Sequence, residues 1–446
     1  MLVGKQNFLV LGVSKSGYSV AKYVLSKNSK CYVYEELLTP KSQVYISELI
    51  ALGAEHVHAQ DVDAILDVVD VLVISPGVPI NHQVAVKAKQ KGIRIIGELE
   101  FGFLLFNPPT VAITGTNGKT TTVTLVSDIL TKAGVKNHAV GNVGVPISSV
   151  YDNVDKNEVF VAEVSSFQLE SVNAFCPHVS CVLNVAPDHL ERHYTMENYI
   201  FLKKRIFKNQ RESEFTILNY DDQTVKSFYS EVRSRVLWVS TMERVDGSYL
   251  SNGKLYYKDE FIINEVDLKL KGEHNVYNAL FAIAVSKLFG VDTGVIADVL
   301  KNFKGVKHRI QLVDNKNGVD FYNDSKATNT ASTLSAIKTM KKPTVLILGG
   351  SEKGEDYLEM FKEIKTSIVK HVVLTGASRY KMLDCAGQCG FTEVTVTADF
   401  KVAVKIATML ACLGDCVLLS PACSSFDCFS GYEERGETFI KLVEEM

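Results

Sequence analysis

The chain has 446 residues, enough for about three domains at roughly 150 residues each. Lys and Arg total 48 against 51 Asp and Glu, hydrophobic residues make up 46% and charged residues 22%, a balance that excludes a disordered chain, a collagen and a polybasic nucleic-acid arm. No apolar run reaches the roughly 18 to 20 residues of a membrane span. The start, MLVGKQNFLVLG, lacks the apolar stretch and cleavage site of a signal peptide. Nine cysteines without CxxC spacing read as free thiols in a reducing cytosol. A cytoplasmic protein without membrane or nucleic-acid partners is expected.

In the first hundred residues the apolar stretches 8–13, 32–34 and Val71–Ile74 alternate with helical candidates after Gly17, after Ser42 and before Gly92. Strands alternating with helices predict a parallel, doubly wound sheet. Gly12-Val13-Ser14-Lys15-Ser16-Gly17 follows the first strand, but Ser14 replaces the middle glycine of GxGxxG. Glu35, 18 residues beyond Gly17, stands where a ribose-binding acid could lie. A degraded dinucleotide fold and a plain strand–helix turn both remain open. Phe106-Asn107-Pro108-Pro109 breaks any helix and marks the first boundary.

A second alternating series begins with the strand Thr110–Thr114 and continues through 159–164 and 179–185. It reaches an amphipathic helix at 275–288, stopped by Gly290, and a short helix at 294–302 before Gly305. A third series opens at 319–322. It includes 345–348 before Gly349-Gly350, 372–374 before Gly376, and 417–419 before Ser420-Pro421. The expected fold is therefore α/β with three domains, 1–106, 107–304 and 305–446. The outer two are expected to be Rossmann-like and the central one a mostly parallel sheet of the phosphate-loop type.

The sharpest motif is Thr114-Gly115-Thr116-Asn117-Gly118-Lys119-Thr120-Thr121, entered by a strand and followed by Val126, Ile129, Leu130 and Ala133 at helical spacing. Glycines let backbone N–H groups turn toward phosphate oxygens, and the following helix N-terminus favours an anion. Lys119 is expected to reach the β/γ-phosphates and the Thr120 hydroxyl to ligate Mg²⁺. Ile113 stands where GxxxxGK[ST] has its first glycine.

Glu163 closes the strand at 159–164, well placed for a metal but equally compatible with capping a helix. In Asn184-Val185-Ala186-Pro187-Asp188-His189 polar residues again follow a strand, and a lone loop histidine is ordinarily just that. Lys203 lies four residues after Tyr199 in a basic cluster, for which periodicity alone gives a solvated helix face. In the last third, Asn323–Asn329, Gly349–Gly354 and Ser420–Asp427 are polar loops after apolar strands, which points to the rim of a cleft. Asp324 and Lys326 in the first of these fit either a cap or a nucleotide site. Cys423 has no histidine partner that would make it a nucleophile.

Taken together, GTNGKTT at 115–121, EVSSFQLE at 163–170, NVAPDHLERH at 184–193, HNVYNA at 274–279, HR at 308–309, NDSKATN at 323–329 and SPACSSFD at 420–427 resemble the ATP-dependent Mur ligases of bacterial cell-wall synthesis. The phosphate loop near residue 115 leaves room for a UDP-binding first domain, which folylpolyglutamate synthases lack. The DNPR-type motif of the ligase adding the third, diamino acid is absent. SPACSSFDxF instead matches the member that adds D-glutamate to UDP-N-acetylmuramoyl-L-alanine.

The resemblance implies a role for each matching position. Gly115, Thr116, Asn117, Gly118, Lys119, Thr120 and Thr121 would hold the ATP phosphates. Asn275 and Asn278 would lie on the adenine side, and Arg309, Asp324 and Lys326 would reach ATP from the last domain. Thr120 and Glu163 would bind one Mg²⁺. Glu163, His189 and a carbamylated Lys203 would serve a second, because a carbamate reverses the ammonium's charge and offers oxygen ligands. Lys119, Glu163, His189 and Lys203 form the implied catalytic set. Lys15, Ser16, Glu35, Ser75, Pro76, Gly77, Asn142 and His189 fall where the UDP-linked substrate is held. Thr328, Lys353, Ser425, Phe426 and Tyr432 fall where D-glutamate is held. Ser351 stands where some relatives have Asp, Tyr432 where some have Phe, and Phe426 where some have Leu.

The implied chemistry is amide formation through an acyl phosphate, in a monomer acting on small molecules and closing around ATP. Two other readings remain: a nucleotide sensor that joins no substrates, and a ligase with a different acceptor.

Overall fold

The computed structural model describes residues 3–106, 108–142, 145–150, 154–155, 157–352 and 356–446. The chain forms two compact units. One comprises Met1–Val185, Arg192–Leu268 and Val276–Asn302; the other comprises Ala186–Glu191, Lys269–Asn275 and Phe303–Met446.

Among the described residues the first unit holds two sheets. In one, β1 (Phe8–Leu11), β2 (Cys31–Tyr34), β3 (Glu55–His56), β4 (Val71–Ile74) and β5 (Arg94–Gly97) pair in parallel in the order β3-β2-β1-β4-β5. The runs FLVL, CYVY and VLVI are buried throughout, as a parallel sheet covered on both faces demands. Strand order reverses between β1 and β4. The turns that follow these two strands therefore lie at the switch point, where open α/β sheets bind ligands.

The other sheet of this unit contains β6 (Thr110–Thr114), β7 (Asn137–Gly141), β8 (Val159–Glu163), β9 (Val179–Val182), β10 (Phe215–Asn219) and β11 (Arg235–Ser240). It is completed by β12 (Gly247–Ser251), β13 (Lys254–Tyr257) and β14 (Glu260–Asn264), in the order β14-β13-β12-β11-β10-β9-β6-β8-β7. Pairing is parallel from β7 across to β12 and antiparallel through β13 and β14. β6 runs between β8 and β9, so the phosphate loop that follows it is flanked by the ends of both.

Helix Glu98–Phe106 joins the two cores of this unit. Phe101 packs edge-on against Phe8 and Tyr23, while Leu99 enters the core formed by Phe160, Leu169 and Phe175. Its two buried acids tie it to the second sheet. The Glu100 carboxylate accepts the backbone N–H groups of Asn173, Ala174 and Phe175, and Glu98 Oε1 accepts from the Ser148 backbone and hydroxyl.

In the second unit, β15 (Gln311–Lys316), β16 (Val319–Asn323), β17 (Thr344–Gly349), β18 (Val369–Thr375), β19 (Val394–Val396) and β20 (Cys416–Leu419) form a sheet ordered β15-β16-β20-β17-β18-β19. Among these strands only β15 is antiparallel to its neighbour. Ile337, Leu346, Phe361 and Leu374 fill one face, and Phe321, Ile347, Val404 and Phe439 the other.

Several boundaries differ from the sequence expectation. The first helix starts at Lys15 rather than after Gly17, because Ser14 is extended and Gly17 lies against the Gly12 carbonyl, where a Cβ would come within 2.0 Å. The second runs Pro40–Ala51, set by a Thr39/Ser42 capping box with Pro40 at its start. The third sheet opens with β15 and not at residue 319. β15 is a half-exposed edge strand whose polar sequence QLVDNK hides it. All nine cysteines are free thiols, as expected.

Candidate active site

β6 delivers the chain into Gly115 and Gly118, both at positive φ (153° and 87°), and helix Lys119–Lys132 begins immediately after. A side chain at 118 would put its Cβ 2.4 Å from Asn278 Oδ1, so only glycine lets the helix start this close to Asn278. Ile113, in place of a first glycine, is a fully buried strand residue paired with Glu163 and Cys181. The Thr116 N–H donates to the Asn184 carbonyl, and the Asn117 N–H to Asn184 Oδ1 at 2.8 Å. Lys119 Nζ lies over the loop, donating to the Gly115 and Thr116 carbonyls at 2.8 Å each. Thr121 is turned into the core, its hydroxyl buried. Asn278 Oδ1 accepts from Thr122, while Asn275, in the other unit, donates to the Lys271 carbonyl.

Glu163, at the carboxyl end of β8, is 2% exposed. The Thr120 hydroxyl donates to its Oε2 at 2.7 Å and Asn142 Nδ2 donates to its Oε1 at 3.1 Å. Residues predicted for phosphate, metal and substrate thus meet on one carboxylate. Gly141 allows this closeness: its φ is 100°, and a Cβ there would strike the Glu163 carbonyl at 2.3 Å.

Lys203 is not on a solvated face, contrary to the reading from periodicity. It is 1% exposed on helix Met196–Lys204, with Nζ 4.4 Å from the centre of the Tyr199 ring. Four-residue spacing puts the two side chains on one helix face, and that face is turned inward. The Tyr199 hydroxyl lies 3.2 Å from Thr116 Oγ1, so this face abuts the phosphate loop. His193 stacks on the Tyr199 ring, and its Nε2 is 2.9 Å from the Ser166 hydroxyl. His193, Glu170 and Arg192, none singled out in the sequence, complete this cluster. Their only signal was membership of the EVSSFQLE and NVAPDHLERH motifs.

At the switch point of the first sheet, the buried Ser75 hydroxyl donates to the Gly12 carbonyl at 2.6 Å and brings the two turns together. Pro76 and Gly77 reach the surface just beyond, and Lys15 and Ser16 open the helix opposite. Glu35 turns back on the turn: Oε2 accepts the Val13 N–H at 2.7 Å and Oε1 the Leu37 N–H at 3.3 Å.

In the second unit the three polar loops follow β16, β20 and β17, which are consecutive neighbours, so the loops share one end of the sheet. Asp324 is 1% exposed. Its Oδ1 accepts the Ile310 N–H and its Oδ2 the Ser420 hydroxyl, and burial pushes its pKa up to about 6 against the pull of Arg309. Asp324 therefore builds the turn that carries Arg309, a turn strained by positive φ at His308 (63°) and Ile310 (43°). Burial and Arg309 together lower the pKa of His274 to about 4. Lys326 Nζ lies 5.1 Å over the Tyr432 ring. Ser425 is buried, Thr328 half-buried and Phe426 73% exposed. Arg435, unrecognised in the sequence, is 2% exposed and donates to the carbonyls of Ser325, Cys423 and Ser424 and to the Ser325 hydroxyl, stapling two of the loops. His189, at φ 55° in segment Ala186–Glu191 of this unit, is 3.3 Å from Glu191 Oε1. Lys353 lies outside the described residues. Among the described residues no three His, Cys, Asp or Glu side chains converge as a metal cluster, and no helix is long and apolar enough to cross a membrane.

A phosphate loop on a β6–helix junction, with a carboxylate hydrogen-bonded to its threonine, defines a nucleotide-binding α/β protein of the phosphate-loop class. Family models match it in three consecutive stretches. A MurD-like Mur ligase N-terminal domain covers residues 6–97, a Mur ligase middle domain 113–286, and a Mur ligase glutamate ligase domain 308–423. The UDP-N-acetylmuramoylalanine--D-glutamate ligase of Thermoanaerobacter sp. (strain X514) is 40% identical over 452 residues, covering 100% of this chain and 99% of that one. The protein of the same name from Clostridioides difficile (strain 630) is 40% identical over 447 residues, covering 98% of each chain. The chain belongs to the Mur ligase family. Solved structures share its fold at low identity. The Thermotoga maritima UDP-N-acetylmuramate-alanine ligase MurC has a TM-score of 0.64 at 18% identity over 99% of both chains. The Thermotoga maritima MurF ligase, solved in complex with ADP, has a TM-score of 0.62 at 15% identity over 100% of this chain and 99% of that one.

Proposed function

We propose that this chain is an ATP-dependent amide ligase that joins D-glutamate to UDP-N-acetylmuramoyl-L-alanine, releasing ADP and phosphate, in cytoplasmic peptidoglycan precursor synthesis. Full-length relatives at 40% identity bear the name of this reaction. The observation that carries the chemistry is the 2.7 Å bond between Thr120 of the phosphate loop and Glu163.

Residues 1–106 take the UDP end of the substrate, through Lys15, Ser16, Glu35 and the 75–77 turn. Residues 107–304 take the ATP phosphates, and residues 305–446 take D-glutamate. A carboxylate is a poor electrophile, so the L-alanyl carboxylate first attacks the γ-phosphoryl group of ATP and ADP leaves. Lys119 and the helix N-terminus stabilise the charge that develops on the phosphoryl oxygens. The D-glutamate amine then attacks the acyl carbon, the tetrahedral intermediate collapses, and phosphate departs.

Thr120, Glu163 and a carbamylated Lys203, with His189, are the residues that would hold Mg²⁺. The oxygen donors of Thr120 and Glu163 suit a hard cation, and a carbamate on the buried Lys203 would add two more oxygens of the same kind. Mg²⁺ supplies charge neutralisation on the phosphoryl group. Ser425, Phe426, Thr328 and Tyr432, with Lys353, would form the D-glutamate pocket.

The test is phosphate release from ATP and Mg²⁺ with UDP-N-acetylmuramoyl-L-alanine, supplying D-glutamate, L-glutamate or meso-diaminopimelate in turn, with mass spectrometry of the product. Release and an adduct with D-glutamate alone are expected. Turnover with another amino acid alone would mean a different acceptor, and no turnover from folded, ATP-binding protein would favour a nucleotide sensor.

A further inference from the structure

Arg192 is spent on none of the chemistry above, yet it is among the most heavily engaged side chains of the first unit. Its Nε and Nη2 form a fork on Glu170, to Oε1 at 3.0 Å and Oε2 at 2.6 Å, with both side chains largely buried (13% and 9% exposed). The same guanidinium donates from Nη1 to the Gly77 carbonyl at 3.2 Å, and from Nη2 to the carbonyls of Pro76 and Val78 at 3.4 and 3.0 Å. Its central carbon lies 4.7 Å from the centre of the Phe167 ring. Pro76, Gly77 and Val78 belong to the turn after β4, at the switch point of the first sheet. Phe167 and Glu170 belong to the segment that follows Glu163. The next residue, His193, stacks on Tyr199, which in turn bonds to Thr116 of the phosphate loop.

We infer that Arg192 is a positioning residue for the UDP-linked substrate: it fixes the 76–78 turn to the Glu163 side of the second sheet through its ion pair with Glu170. A planar fork with a fixed carboxylate suits this task, and a lysine cannot reproduce it. Without the clamp, substrate binding must itself order the turn, a cost that appears in KM. The inference rests on the reading that the 75–77 turn holds the UDP end.

The experiment measures KM for UDP-N-acetylmuramoyl-L-alanine, KM for ATP, kcat and thermal midpoint for the wild type, Arg192→Ala, Arg192→Lys, Glu170→Gln and the Arg192→Ala/Glu170→Gln double variant. Expected is a rise of about tenfold or more in KM for the UDP-linked substrate in Arg192→Ala, with KM for ATP within about twofold. Arg192→Lys should recover little of the loss. Glu170→Gln should shift KM in the same direction by less, and the double variant should be no worse than Arg192→Ala, since both act through one contact. An unchanged KM for the UDP-linked substrate in folded Arg192→Ala overturns the inference, as does an equal rise for ATP. Should Arg192→Ala not fold, Glu170→Gln decides by the same split. A wild-type enzyme that turns over without the UDP-linked substrate would sink the underlying reading instead, whatever the variants do.

Discussion

Glu163 is held through both of its oxygens, one by the Thr120 hydroxyl and one by Asn142. Replacing it by Gln preserves shape and keeps one accepting oxygen, but removes the charge. If the charge serves a cation on the phosphoryl group, Glu163→Gln should lower kcat by about 100-fold or more, equivalent to about 3 kcal/mol or more of lost transition-state stabilisation. Its thermal midpoint should stay close to the wild type. Steady-state kinetics beside a melting curve checks this, and a variant with near-normal kcat would remove Glu163 from the metal site. Lys203 carries the complementary expectation. Protein equilibrated with ¹³C-bicarbonate should show a carbamate carbon signal that Lys203→Ala lacks, and that variant should lose most of its turnover. Retention of the signal in Lys203→Ala would place the modification elsewhere.

At the scale of elements, the phosphate loop depends on how β6 hands over to helix Lys119–Lys132. Gly118 sits at φ 87° with Asn278 Oδ1 against its α-carbon. Gly118→Ala therefore meets both backbone strain and a polar neighbour, and should cost roughly 1–3 kcal/mol of stability. ATP affinity should fall further than the melting temperature alone would explain, which calorimetric titration can show. The loop was legible because strand, glycines, Lys-Thr and helix all follow one another locally. Lys203 was legible only in its spacing, because burial on helix Met196–Lys204 is set by tertiary packing that a short basic run does not reveal. The opposite failure concerns the hairpins. Asn252-Gly253 and Asn317-Gly318 join β12 to β13 and β15 to β16 with both residues of each turn at positive φ, and Asn-Gly is the local signature of such a turn. The turn signal is local and clear, but the strands on either side alternate too weakly to stand out beside the apolar parallel runs. Arg192 and Glu170 fall inside the NVAPDHLERH and EVSSFQLE motifs, but their roles, like that of Arg435, were beyond local pattern, since each acts on residues far away in sequence.

At the largest scale, the first unit holds together across helix Glu98–Phe106, whose two buried acids behave differently. Glu100 meets three backbone N–H groups with its carboxylate. Glu98 is 1% exposed, satisfies Oε1 through Ser148, and leaves Oε2 buried with no hydrogen-bond partner among the described residues. Burial outweighs the Ser148 and Ile147 hydrogen bonds and pushes its pKa up to about 7, from 4.5. Because the folded protein holds this proton more tightly than the unfolded chain, Glu98 contributes stability in full below about pH 4.5. That contribution fades as pH rises through about 7. Glu98→Gln stays neutral throughout and still accepts from Ser148. Relative to wild type, the variant should therefore gain stability as pH is raised from 5 to 8, by an amount bounded at about 3 kcal/mol. Unfolding of the two proteins by urea at both pH values measures the difference directly. A difference independent of pH would mean that the carboxyl is already ionised at pH 5 and that the joint between the two sheets tolerates a buried charge.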